Sequence, residues 1–260
     1  MKNVHAIIAF AIIICSCKST PPKEEQIRFE SADAPDTRDT TNSVNSNAGY
    51  KMSTYPQRVI LNGMPQHRLI TIYKYLPPKK EARNTFSSSN SYDRGEYWDD
   101  DHDQHFMPGI DLLFGYNLLN LAHYDMKSEQ LNYLFQRPVL IKSVYYPSYE
   151  QDSVGDKPNR KPIIRDYFLV SAYDEDTNGD TLLNRHDLRR FYHFNASCDV
   201  KTQLIPPDYS VLRSQYDFDN DVMYIFARHD DNKNGKSEPN EETHVFWISL
   251  KAPAAAKRMY

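Results

Sequence analysis

An internal repeat constrains this chain more than any other feature, because a repeated segment must fold as a repeated structural unit. Leu121-Ala122-His123-Tyr124-Asp125 followed by Leu134-Phe135 matches Arg190-Phe191-Tyr192-His193-Phe194-Asn195 followed by Leu204-Ile205. The two histidines stand 70 residues apart, and so do Leu134 and Leu204. A third version runs Phe246-Trp247-Ile248-Ser249-Leu250 and is followed by Arg258-Met259-Tyr260.

Each copy has the same order of elements. Arg58–Leu61, Val139–Ser143 and Ser210–Ser214 read as first strands, and Leu69–Tyr73, Tyr167–Ser171 and Val222–Phe226 as second strands. A polar loop follows, then the third strand quoted above, then a short fourth at Leu134-Phe135, Leu204-Ile205 or Arg258–Tyr260. These runs are rich in β-branched and aromatic residues and are bounded by Pro, Asn, Asp and Gly. Val222–Phe226 and Val245–Ile248 are apolar on both faces, which predicts sheets covered on both sides. The expectation is an all-β domain over 55–260, made of three four-stranded antiparallel meanders at about 55–137, 138–207 and 208–260. Such units resemble TolB-type and WD-type propeller repeats. Propellers usually have four or more blades, so three imply an open ring, one closed by a second copy, or a stacked sandwich.

The loop between second and third strands collects carboxylates in every copy. In the second it spans 174–187 and in the third 230–242, and both resemble EF-hand or dockerin-type calcium loops. Calcium takes six to eight oxygens, supplied at positions 1, 3 and 5, by the carbonyl of position 7, and by a carboxylate at position 12. The third-copy loop then offers Asp230, Asn232, Asn234, the Lys236 carbonyl and Glu241, with Gly235 at the sharp turn of position 6. The second-copy loop has two registers. Starting at Asp174 puts Gly179 at position 6 but Arg185 at position 12, where a cation repels it. Starting at Asp176 gives Asp176, Asn178, Asp180, the Leu182 carbonyl and Asp187, with Leu183 at position 8 and Thr181 in place of the glycine. The second register keeps the charges that bind, and is preferred. The first-copy loop, 93–105, lacks that spacing and reads as a solvated acidic loop. Its weaker metal candidates are Asp99, Asp101, His102, Asp103 and His105, a mixed set suited to zinc or manganese. Ca²⁺ is the cofactor expected overall. No helices flank these loops, so calcium would order a strand connection rather than open a helix pair.

The N-terminus reads as an address. Lys2 precedes the apolar run Ile7–Ile14, which is too short to span a bilayer and reads as a signal peptide over 1–16. Ile14-Cys15-Ser16-Cys17 resembles the bacterial lipobox, which implies lipidation at Cys17 and a membrane-anchored protein of the cell envelope, periplasmic or surface-exposed. Residues 17–54 are nearly devoid of apolar side chains and read as a disordered tether. Lys23-Glu24-Glu25 within it resembles surface-export signals of Bacteroidota lipoproteins, but reads first as an ordinary solvated charge run. Cys198 is left without a disulfide partner and reads as a small half-buried residue.

Charge sharpens the picture. The formal net charge is −4, while the three loops carry −5, −4 and −3 in chain order. A mildly basic body thus bears three acidic loops, and nothing suggests the basic face of a nucleic-acid binder. The function expected is a lipid-anchored binding or scaffold module for a protein or glycan partner, with an abundance of tyrosine suited to contact surfaces. The alternative is an envelope hydrolase acting on a glycan. Neither a nucleophile elbow nor a zincin motif is present, which weighs against an enzyme. Asp111, Asp166 and Asp217 are its candidate carboxylates, although all three read first as strand-end turn residues.

Overall fold

A computed structural model describes residues 25–28, 52–76, 107–149 and 163–260. The signal peptide, Cys17 and the first acidic loop lie outside the described residues.

Every regular element described is a β-strand. They are β1 (Gln26–Arg28), β2 (Thr54–Ile60), β3 (His67–Lys74), β4 (Ile110–Phe114), β5 (Leu118–Asp125), β6 (Gln130–Tyr133), β7 (Leu140–Pro147), β8 (Tyr167–Tyr173), β9 (Leu182–Asn184), β10 (Arg190–Asn195), β11 (Lys201–Gln203), β12 (Tyr209–Asp217), β13 (Val222–His229), β14 (Thr243–Ser249) and β15 (Lys257–Arg258). They form four antiparallel sheets of two, five, four and four strands. The strand orders are β2-β3-β5-β6, β11-β10-β8-β7-β4, β12-β13-β14-β15 and the small pair β1-β9.

Pairing registers show how evenly the chain is laid out. His123 lies opposite Asn132 and His193 opposite Thr202, so β5-β6 and β10-β11 pair with the same 70-residue offset as the sequences. A bulge falls at Lys142 in β7 and at Leu212 in β12, again 70 residues apart, and β2 has one at Gln57. Such bulges bend the strand and raise its twist, which helps successive sheets lie face to face. The fourth strands end just before Leu134-Phe135 and Leu204-Ile205, and these four residues plug the core instead.

Alternation along β8 explains the stacking. Phe168, Val170 and Ala172 enter one buried cluster, with Leu69 and Leu121 of the first sheet. Tyr167 and Leu169 point the other way, into a second cluster with Met223, Ile225 and Phe246 of the third sheet. The second sheet is therefore apolar on both faces because it is the middle layer.

Two expectations need correction. The strands of the third sheet have one buried face only: Met223, Ile225 and Ala227 are buried, while Tyr224 and Phe226 between them are half-buried. On that second face the Arg213 guanidinium lies 3.7 Å from the Phe226 ring centroid, and the Lys257 ammonium lies 5.0 Å from that of Trp247. Cations over aromatic faces, rather than another sheet, shield it among the described residues. The first connection is also more than a polar loop. It contains β4, which leaves the first sheet, pairs with β7 as a fifth strand of the second, and returns to β5.

The stretch read as a tether holds a strand as well. β1 pairs with β9 in the register Ile27 opposite Leu183, and Ile27 is fully buried with Leu119, Leu140 and Leu183.

Candidate functional site

The second and third acidic loops connect equivalent strands. Residues 174–187 leave β8 and carry β9, while 230–242 join β13 to β14. Their backbones coil alike, because each places two residues in the left-handed region at the same positions. In the second loop these are Gly179 (φ 72°) and Thr181 (φ 67°); in the third they are Lys233 (φ 56°) and Gly235 (φ 73°). Counted from Asp176 and from Asp230, both pairs stand at positions 4 and 6.

Hydrogen bonds follow the same count. The Asp176 carboxylate accepts the N–H groups of Asp180 at 3.2 Å and Thr181 at 2.9 Å. The Asp230 carboxylate accepts those of Asn234 at 3.0 Å and Gly235 at 2.8 Å. Asp180 N–H donates to Asn178 Oδ1 and Leu182 N–H to Asp180 Oδ1, at 2.9 and 2.8 Å. Asn234 N–H donates to Asn232 Oδ1 and Lys236 N–H to Asn234 Oδ1, also at 2.9 and 2.8 Å. At position 12, Asp187 Oδ2 accepts Asn184 N–H at 2.9 Å and Glu241 Oε2 accepts Glu238 N–H at 2.8 Å. Asp174 sits outside this scheme: its carboxylate accepts the Tyr192 hydroxyl at 2.5 Å and its carbonyl the Arg137 guanidinium at 2.8 Å. The register from Asp176 is the one in which the two loops match.

The loops also touch. Thr177 Oγ1 donates to the Gly235 carbonyl at 2.5 Å and accepts Leu188 N–H at 2.9 Å. A Cβ on Gly235 would stand 1.8 Å from the Thr177 carbonyl oxygen, so only glycine fits there.

Their position-12 carboxylates differ in surroundings. Asp187 is fully buried, and its Oδ1 also accepts Thr177 N–H at 2.9 Å. Burial pushes its carboxyl above the usual range, against the pull of the backbone N–H groups of Asn184, Thr177 and Asn178. Glu241, one methylene longer, is 7% exposed and keeps Oε1 buried with no hydrogen-bond partner among the described residues. A buried carboxylate oxygen without a donor is costly, and a cation would satisfy it.

As folded, the acids in these loops are drawn to backbone N–H groups. Among the described residues no three His, Cys, Asp or Glu side chains stand close enough together to hold a metal. The donors that remain are oxygens: carboxylates of Asp176, Asp180, Asp187, Asp230 and Glu241, amide oxygens of Asn178, Asn232 and Asn234, and main-chain carbonyls. That all-oxygen chemistry fits a hard cation such as calcium, and suits zinc or copper poorly.

Two clusters escaped the sequence reading. The Arg165 guanidinium, 4% exposed, binds both Asp221 oxygens at 2.6 and 2.9 Å and the Leu250 carbonyl at 2.6 Å, locking the second sheet to the third. Beside the third loop, His229 lies between Asp231 at 2.5 Å and Asp208 at 3.0 Å. The hydrogen bond to Asp231 leads in raising its pKa above the usual histidine range. The Arg165–Asp221 and His229–Asp208 pairs join residues 56 and 21 apart in sequence, which show no pairing pattern; His229 and Asp231, two apart, carry a local signal that the sequence reading passed over.

Of the hydrolase candidates, Asp217 has a turn role: its carboxylate accepts the N–H groups of Asp219 and Asn220 and the Tyr224 hydroxyl. Asp111 lies on β4 and accepts Ser148 Oγ at 3.0 Å; Asp166 precedes β8. Cys198 is a free thiol in a turn, with burial raising its pKa. No protein-family model and no curated protein sequence matches this chain.

Proposed function

We propose that this protein is a lipid-anchored envelope module whose stacked, propeller-like β-sheets present a pair of calcium-stabilised loops to a protein or glycan partner. One observation carries the calcium half of this reading: two loops of different sequence adopt the same coil, share five backbone-to-side-chain hydrogen bonds at matching positions, and touch through Thr177 and Gly235. In both loops, positions 1, 3, 5 and 12 carry acidic or amide side chains whose oxygens could also serve a cation. In the second loop, Leu182 and Asn184 turn their N–H groups to Asp180 and Asp187. A residue in an extended strand faces its N–H and C=O to the same edge, which supports the Leu182 carbonyl as the ligand of position 7.

Bound calcium would draw the carboxylates together and offset loop charges of −4 and −3. The third loop has two asparagines where stronger sites have aspartates, which suggests the weak affinities of extracellular modules, roughly 10⁻⁴–10⁻³ M. The anchor is the lipid on Cys17, and the half-exposed aromatic face of the third sheet is a surface on which a partner or a second copy could pack. The glycan-hydrolase alternative has less support, since Asp217 is engaged in a turn.

Thermal melting tests the calcium reading. Millimolar Ca²⁺ raises Tm over a chelator control, and Asp176→Ala and Asp230→Ala each reduce the rise. An unchanged Tm at millimolar Ca²⁺ would sink it.

A further inference from the structure

Positions 7 to 9 of the second loop are also β9, the strand that receives β1. Leu182 and Asn184 give their N–H groups to loop carboxylates, which leaves Leu183 as the residue that faces Ile27. One three-residue strand thus serves the cation loop with one edge and the N-terminal segment with the other. That segment is held at several points besides Ile27. The Glu25 carboxylate accepts Asn117 N–H and pairs with the Lys142 ammonium at 2.9 Å, and the Gln26 carbonyl accepts the Lys74 ammonium at 2.9 Å. Glu25, read from sequence as part of a solvated charge run, is in fact a clasp across the first two sheets.

We infer that residues 25–28 are a strap whose docking is coupled to calcium loading of the second loop through β9. The inference rests on the calcium reading above. A cation bound by Asp176, Asp180, the Leu182 carbonyl and Asp187 fixes β9 in the extended form that β1 pairs with. By reciprocity, a docked β1 fixes β9 for the cation.

Limited trypsin digestion of the full chain reads the strap directly, since cleavage after Arg28 requires it to leave β9. Mass spectrometry follows the Arg28–Phe29 bond in CaCl₂ and in chelator. Calcium slows that cut at least about 5-fold in the wild-type chain, as expected for a coupling of ordinary size, and has no such effect in Asp176→Ala. In an Asp230→Ala background, where only the second loop titrates, Ile27→Asp weakens calcium binding by about 5-fold or more. Glu25→Gln, which leaves the apolar pocket intact, acts in the same direction to a smaller degree and serves if Ile27→Asp does not fold. Equal cleavage rates with and without calcium, in a sample whose second loop is seen to fill by titration, would overturn the strap while leaving the calcium reading standing. A wild-type titration with no calcium uptake would overturn both, and would be evident before any digestion.

Discussion

The second and third loops reach one backbone path by different means, and the difference teaches what the glycine in such a loop is for. Position 6 is left-handed in both, yet the third loop has Gly235 there and the second has Thr181. A β-branched residue in that region is strained by roughly 1–2 kcal/mol. The second loop tolerates this because position 6 is exposed. The third cannot, because the Thr177 carbonyl presses against Gly235. Glycine is demanded where the two loops meet, and the dihedral angle alone does not demand it.

That contrast can be broken at its strongest point first. Gly235→Ala drives a methyl into backbone and is expected to cost about 3–5 kcal/mol, measured by urea unfolding in chelator. A cost under 1 kcal/mol would show that the loops do not press together. Position 12 comes next. Asp187→Ala strips the acceptor from the N–H groups of Thr177 and Asn184 and should cost about 2–3 kcal/mol. Glu241→Ala frees only the Glu238 N–H and removes a carboxylate oxygen that has no partner among the described residues, so about 1 kcal/mol is expected in the absence of calcium. Equal losses in the same urea experiment would erase the distinction. Gly179→Ala meets open space and pays only for its positive φ, about 1 kcal/mol. Smallest and opposite in sign, Thr181→Gly relieves strain and should gain about 0.5 kcal/mol by chemical denaturation, with calcium affinity kept or improved.

Much of the fold could be read in the sequence because the chain uses local, periodic signals. His123, His193, Leu134 and Leu204 announce a common spacing, and strand pairing adopts it. Charge at position 12 favours a count from Asp176, whose carboxylate accepts the N–H groups of Asp180 and Thr181 in the structure. What could not be read is long-range. β4 is a five-residue strand, Ile110–Phe114, and nothing local tells it to pair with β7 rather than with its own sheet. β1 docks through one buried isoleucine and through long-range polar contacts to Lys74, Asn117 and Lys142, the last spanning 117 residues from Glu25, while its own composition argues for solvent. The pattern of Val222–Phe226 misled for a related reason. Tyr and Phe on an outer face look like core until Arg213 is seen lying across Phe226.

Stoichiometric calcium binding tests the central claim most directly. Isothermal titration of the full chain with CaCl₂ is predicted to give two sites per chain, one on Asp230→Ala or on Asp176→Ala, and none on the double variant. Wild-type protein that takes up no calcium at millimolar concentration, or whose uptake is unchanged in the double variant, would contradict the account.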